Sequence, residues 1–352
     1  MLGLVRSGSL GVMLVLCMAS PALASTLYGS IAWTTLRGIG NQLSQQPEGA
    51  LVTVDLASLG VASVPSGFSN TPGGTTLVAD VFTLPGGNTY LTGLAATGGS
   101  LYASTFECFT PSCFEGPSRL LEIDPTTGAA VDIGIIRHGT TELSIYDLAV
   151  HPTTGEIYGI STFLGTNCVA CLYTIDRNTA AATLIGGAAI GLGLPGGLAF
   201  GSNGELYLTT VSPIAGPFSG TRRNPLDFVV LDPATGQIVS REDLLLEQQF
   251  IVRAGNVSTL ITSIVLQGLE VLPGGRIVAV GDNGNTMMYE RVFGQARDPN
   301  GNPVGPERFV WRLLGDSGEN VSDLAYLVPE PHLGLLLAGA LFVMGLRRCK
   351  RN

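Results

Sequence analysis

Lysine is nearly absent from this chain of 352 residues: Lys350 is its sole example, and every other basic residue is arginine. Charged residues of all kinds make up only 13%, well below the usual quarter. Low charge beside 45% hydrophobic residues excludes a disordered chain, which needs the reverse balance. Histidine is scarce too, and His138, His151 and His332 are the only three. No two stand at metal-ligand spacing, which argues against a histidine-centred metalloenzyme. A Ser-His-Asp hydrolase lacks its Gly-x-Ser-x-Gly elbow as well. His151 precedes Pro152 in a turn and reads as structural, and His138 falls in a connecting loop.

Glycine is plentiful instead, with 48 residues. Gly, Thr and Val in abundance suit a β-rich protein with many tight turns. The formal net charge is -9, but the two ends distort it. Arg6, Arg347, Arg348, Lys350, Arg351 and Glu330 lie in terminal segments, and the middle keeps 13 basic against 26 acidic residues. So acidic a body repels phosphate backbones, and nucleic acid is not expected as a partner.

Residues 1–24 read as a secretory signal peptide. Arg6 supplies the positive start, Leu10 to Met18 is a short apolar run, and Ala22-Leu23-Ala24 is a small-x-small cleavage pattern. Signal peptidase is then expected to leave Ser25 as the first mature residue. Residues 329–352 form a second address in three parts. Val328-Pro329-Glu330-Pro331 opens it, an uncharged apolar run from Leu333 to Leu346 follows, and Arg347-Arg348-Cys349-Lys350-Arg351 closes it. The prolines stop the preceding strand. The run of 14 residues spans about 21 Å as a helix, short of a hydrocarbon core of roughly 30 Å. Snorkelling arginines and local thinning make up part of the deficit, and the basic tail is expected to stay cytoplasmic.

That order of parts resembles the PEP-CTERM sorting signal: Pro-Glu-Pro, a hydrophobic helix, then a basic tail. The resemblance implies cleavage near Pro329-Glu330-Pro331 by exosortase, a membrane-embedded cysteine transpeptidase. It also implies a Gram-negative host that makes an exopolysaccharide or biofilm matrix. On this reading the protein passes transiently through the inner membrane by its C-terminal helix and ends at the cell surface or outside. Val328, Pro329, Glu330 and Pro331 are then recognition elements for another enzyme, with Arg347 and Arg348 in the retention tail.

The middle, residues 25–328, repeats. A strand ending Gly-Leu-Ala or Asp-Leu-Ala recurs at Gly93-Leu94-Ala95, Asp147-Leu148-Ala149, Gly197-Leu198-Ala199, Gly268-Leu269-Glu270 and Asp323-Leu324-Ala325. A second strand follows, centred on Leu27-Tyr28, Leu101-Tyr102, Ile157-Tyr158, Leu206-Tyr207 and Ile277-Val278. A third ends at Val54-Asp55, Ile123-Asp124, Ile175-Asp176 and Leu231-Asp232, with Trp311-Arg312-Leu313 as a degenerate fifth. Turn sequences such as Pro152-Thr153-Thr154-Gly155 and Asp232-Pro233-Ala234-Thr235-Gly236 punctuate the strands. A unit of about 50 residues with four short strands predicts an all-β propeller of about five blades. The last unit has a first strand with nothing after it, and the mature start has a second strand with no first. Pairing these two closes the ring and removes the free sheet edges. The long stretch between Leu198 and Leu269 leaves room for a degenerate sixth blade.

Cys17 and Cys349 belong to the terminal segments, leaving Cys108, Cys113, Cys168 and Cys171. An oxidising compartment favours disulfides, most simply Cys108 to Cys113 and Cys168 to Cys171, with cross-blade pairing open. A four-thiolate zinc site is the competing reading. Asp282-Asn283-Gly284-Asn285 is a weak calcium candidate and reads more simply as a turn. Asp124, Asp176 and Asp232 are expected as turn caps. Long insertions at 38–49, 106–117, 212–225 and 290–306 are where binding is expected. They carry Phe106, Phe109, Phe114 and the pair Arg222-Arg223.

Two functions compete. The first is a non-catalytic surface or matrix protein that binds extracellular polysaccharide or another surface protein through one propeller rim, with no cofactor. The second is a secreted hydrolase or lyase acting on a lactone or glycan. Three or more polar side chains converging at the propeller axis favour the enzyme, whereas a channel of Leu, Ala and Gly favours binding.

Overall fold

A computed structural model describes residues 26–31, 49–59, 75–80, 88–108, 116–162, 168, 170–186, 194–211, 226–254, 257–261, 265–281, 287–317 and 321–327. The proposed signal peptide and sorting segment therefore lie outside the described residues. The described part is all-β, with strands β1 (Thr26–Ile31), β2 (Ala50–Val54), β3 (Thr75–Asp80), β4 (Asn88–Thr97), β5 (Ser100–Cys108), β6 (Arg119–Ile123) and β7 (Ala130–Ile135). A small hairpin, β8 (Arg137–His138) and β9 (Thr141–Glu142), precedes β10 (Ile145–Val150), β11 (Ile157–Ser161), β12 (Leu172–Ile175) and β13 (Ala182–Leu184). Next come β14 (Leu194–Phe200), β15 (Leu206–Val211), β16 (Asp227–Leu231) and β17 (Ile238–Asp243). A second hairpin, β18 (Phe250–Ala254) and β19 (Val257–Ile261), leads to β20 (Leu266–Leu272), β21 (Arg276–Gly281), β22 (Met287–Arg297) and β23 (Pro303–Asp316). The final strand is β24 (Val321–Leu327).

These strands form five four-stranded antiparallel blades: β24-β1-β2-β3, β4 to β7, β10 to β13, β14 to β17 and β20 to β23. They are blades one to five below. Blade one is the predicted closure, with β24 and β1 pairing antiparallel from Thr26↔Leu327 to Ser30↔Asp323. Between blade four and blade five, the stretch expected to leave room for a sixth blade holds only the β18-β19 hairpin among the described residues.

The hydrophobic core is divided among the blade interfaces. Five clusters of buried residues occur, each drawing its side chains from two neighbouring blades. Leu91, Leu94 and Leu121 of blade two meet Tyr28, Leu51 and Ala325 of blade one. Leu27, Val52 and Leu324 of blade one meet Val278, Val280 and Met288 of blade five. Blade one thus fills both of its interfaces only when β24 and β1 are joined.

Two expectations are corrected. Trp311 lies in the fourth strand of blade five, and the third strand there is β22, paired from Met287↔Asp316 to Arg297↔Pro303. β22 lacks the Ile-Asp ending of its counterparts, which is why Trp311 stood in for it in the sequence. Residues 290–306 are likewise no loop insertion: most of them belong to the long β22-β23 ribbon, which turns at Asp298-Pro299-Asn300-Gly301. The other three insertions do separate second from third strands (β1 from β2, β5 from β6, β15 from β16), but they lie mostly outside the described residues.

Candidate functional site at the propeller axis

β24, β4, β10, β14 and β20 are the innermost strands of their blades and pack against one another in a ring. An innermost strand has one edge with no partner strand, so its N–H groups need acceptors. Three carboxyls supply them. Asp147 Oδ1 accepts from its neighbour Leu148 N–H at 2.6 Å, and Oδ2 accepts from Leu198 N–H of blade four at 2.5 Å. Asp323 Oδ2 accepts from Leu94 N–H of blade two. Glu270 Oε1 accepts from Val271 N–H at 2.7 Å, and Oε2 from Tyr326 N–H of blade one at 2.9 Å. Each acid fastens its own blade to the next. Where the repeat has glycine, hydroxyls serve instead: Ser104 Oγ accepts from Gly93 N–H at 3.0 Å, and Thr209 Oγ1 from Gly197 N–H at 2.7 Å. Those glycines are needed for close approach. A Cβ on Gly93 would stand 2.6 Å from Leu148 N, and one on Gly197 2.5 Å from Leu269 N.

Asp147 and Asp323 are each 1% exposed and hydrogen-bond to each other side chain to side chain. Two carboxyls in contact need a shared proton. Asp323 Oδ1 is buried and meets no N–H or O–H donor among the described residues, so it is the oxygen left to carry that proton. Burial pushes all three acids up. Asp147 is pushed to about 8 and Asp323 well above the carboxylate range, with the Asp147 charge adding to burial there. Glu270 is pushed to about 8, chiefly by burial with the charge of Asp323 adding to it. Burial also raises the Tyr146 hydroxyl, with Asp147 and Asp323 as its charged neighbours.

Below the acids a cavity of about 360 Å³ opens on one face of the disc. Its apolar wall comes from Leu94, Leu148 and Leu198 and the alanines that follow each, and Glu270 is the carboxyl in the lining. Tyr326, Leu327, His151 and Ser202 also line it. His151 is structural as expected: Nδ1 accepts from Thr153 N–H and Thr154 N–H, and the ring packs edge-on against Phe200 at 5.0 Å.

The same face carries an aspartate after the third strand of blades one to four, with Asp55, Asp124 and Asp176 exposed and Asp232 half-buried. In blade five the half-buried Asp298 follows the longer β22 and lies beside Gln248. Hydrogen bonds hold all five below the usual range, chiefly from Ser58 at Asp55, Thr126 N–H at Asp124 and Asn178 N–H at Asp176. Thr235 does this at Asp232 and Asn302 at Asp298. Asp124, Asp176 and Asp232 are thus the turn caps that the sequence predicts, and Gly128 and Gly236 take the left-handed conformation their turns require, at φ 70° and 67°.

Of the four cysteines outside the terminal segments, Cys168 and Cys171 form a disulfide, with Cα atoms 5.7 Å apart. It pins the entry to β12 and removes two of the four thiolates that a zinc site needs. Cys113 and the side chain of Cys108 lie outside the described residues, as do Asp282, Arg222, Arg223, Phe109, Phe114, His332 and the side chain of Phe106. So do Ala22, Ala24, Ser25, Val328, Pro329, Glu330, Pro331, Arg347 and Arg348. Among the described residues no group of three His, Cys, Asp or Glu side chains is placed to hold a metal ion, and no helix is long and apolar enough to cross a membrane.

The axial acids were visible in the repeat but not singled out. Aligned on the triplets, Asp147 and Asp323 replace glycine, and Glu270 replaces alanine. An acid at a position that is otherwise glycine or alanine, inside a buried strand, was the available signal.

No family model matches the chain, and no curated protein does. Solved structures do. A GH43_1 enzyme from Xanthomonas citri is 14% identical over 65% of this chain and 75% of its own, at a TM-score of 0.43. A gluconolactonase from Xanthomonas campestris is 13% identical over 87% of this chain and 91% of its own, at 0.38. YCF48 bound to D1 peptide is 13% identical over 74% of this chain and 64% of its own, at 0.34. Likenesses this distant carry no argument about ligand or mechanism.

Proposed function

We propose that the chain is an exported propeller, cut by signal peptidase before Ser25 and by exosortase near Pro329-Glu330-Pro331, that serves outside the cell as a non-catalytic binding scaffold for extracellular polysaccharide. The observation behind the non-catalytic half is the engagement of the axial acids. Three carboxyls do converge, which meets the count set for an enzyme. Yet Asp147 and Glu270 each give both oxygens to backbone N–H groups, and Asp323 is held between Leu94 and Asp147. Asp147 and Asp323 are in hydrogen-bond contact, whereas the paired acids of glycosidases stand about 5 to 9.5 Å apart to admit a sugar carbon or a water. Both are also closed to solvent.

A polysaccharide array probed with residues 25–328, with and without calcium, tests the binding half. Retention of at least one acidic or neutral polymer is expected, and uniform failure to bind contradicts it. The hydrolase or lyase reading keeps one observation in its favour. Glu270 borders the cavity, and a carboxyl pushed to about 8 is protonated at neutral pH and able to act as a general acid. Release of product from a lactone or glycan, abolished by Glu270→Gln, would establish that reading instead.

A further inference from the structure

The fold closes through two strands whose outer ends meet at one point. Thr26 opens β1 and Leu327 ends β24, and they are the last pair in the register between these strands. In every other blade the corresponding point is a turn between first and second strands, such as Pro152 to Gly155. In blade one it is where the chain enters and leaves. Tyr326 and Leu327 line the axial cavity, so this point belongs to the cavity-bearing face.

We infer that this face is the membrane-proximal side of the propeller and that the opposite rim, where second strands end, third strands begin and the β8-β9 hairpin stands, is the side presented outward. The inference rests on the sorting reading above and adds an orientation to it. Only residues 328–332 separate Leu327 from the apolar run that starts at Leu333. Six residue steps at about 3.3–3.6 Å each reach at most about 22 Å. The preceding address ends at Ala24, two residues before Thr26, so until its removal it leaves the disc at the same point, and afterwards the C-terminal segment alone tethers it there. An inner strand of six residues such as β10 spans about 20 Å, which sets the far rim roughly 40 Å from the lipid.

Charge does not produce this orientation. The near face holds Asp55, Asp124, Asp176 and Asp232, whose ionised carboxylates are repelled by anionic headgroups. The tether must hold the face there against that repulsion. Residues 25–328 alone are therefore expected not to bind anionic vesicles.

The test uses the full chain with Pro329-Glu330-Pro331 replaced by alanines, which the sorting reading expects to stay in the membrane. A photoreactive benzophenone residue is placed at Thr154 or Asn203 on the near face, or at Thr140 in the β8-β9 turn on the far rim. Cross-linking to phospholipid is expected to be several-fold stronger at Thr154 and Asn203 than at Thr140. Equal labelling, or stronger labelling at Thr140, in membrane-retained protein overturns the orientation while leaving the sorting reading in place. Protein recovered free of membrane overturns the sorting reading and the orientation with it.

Discussion

The acids at the axis and the acids on the rim are the same residue types treated in opposite ways. Asp124, Asp176 and Asp232 sit in solvent with turn N–H groups around them, and their carboxyls are held down. Asp147, Asp323 and Glu270 also accept backbone N–H groups, yet all three are pushed up. Hydrogen bonding to the charged form favours it and burial disfavours it. At the rim the first effect decides, because water still solvates the charge. At the axis burial decides, and no basic side chain among the described residues is hydrogen-bonded to the group. Asp147 raises Asp323, Asp323 raises Glu270 and Glu270 raises Asp147, while the hydrogen bond with Asp323 lowers Asp147. The rim aspartates shape single turns. The axial acids join blades, so the ring depends on them.

The largest expected loss comes from Asp147→Ala. It leaves Leu148 N–H and Leu198 N–H without acceptors in a buried site, at about 1–3 kcal/mol for each orphaned donor. Denaturant unfolding should show a drop of about 3 kcal/mol or more, and a change within about 0.5 kcal/mol would break the staple argument. Gly197→Ala comes next. Its Cβ meets the backbone of Leu269 and forces blades four and five apart, costing about 2 kcal/mol by overpacking. An unaltered midpoint there would mean that the ring adjusts more freely than its close approach suggests. Cys168→Ser should cost less than either, since the disulfide closes a loop of only four residues, and it sharpens the comparison by showing what a local tie contributes. Asp124→Ala should have the smallest effect, visible as a slight fall in the thermal midpoint, because it removes one exposed cap.

Much of the fold was legible in the sequence because the blade is a local object. Leu-Tyr pairs, Asp-Pro-x-Thr-Gly turns and the split first and last units reveal the five blades and their closure. Blade five was misread in part because β22 ends without the Ile-Asp pair, and its exit turn at Asp298 comes late, after an 11-residue strand. The axial acids were harder to see. Asp147 and Asp323 meet across blade two, 176 residues apart in sequence, and nothing local marks such a pair. What was local was their departure from glycine at the same point of the repeat.

The two groups of acids also predict opposite responses to pH. The rim aspartates have folded pKa values below their unfolded value near 3.8, so what they contribute is lost only as pH falls through that range. The axial acids have folded values above their unfolded ones, so the native state holds extra protons between about pH 4 and about pH 8, and stability falls as pH rises through that window. Asp323→Asn keeps the shape, can still accept from Leu94 N–H and can donate to Asp147 without a titrating proton. The most direct test is thermal unfolding of the wild-type chain and Asp323→Asn from about pH 5 to about pH 9. The wild-type midpoint is expected to fall steadily across that range while that of Asp323→Asn falls less, because only Asp147 and Glu270 then take up protons. A wild-type midpoint that stays level or climbs with pH, or an Asp323→Asn profile equally steep, would contradict a ring held together by protonated acids at its axis.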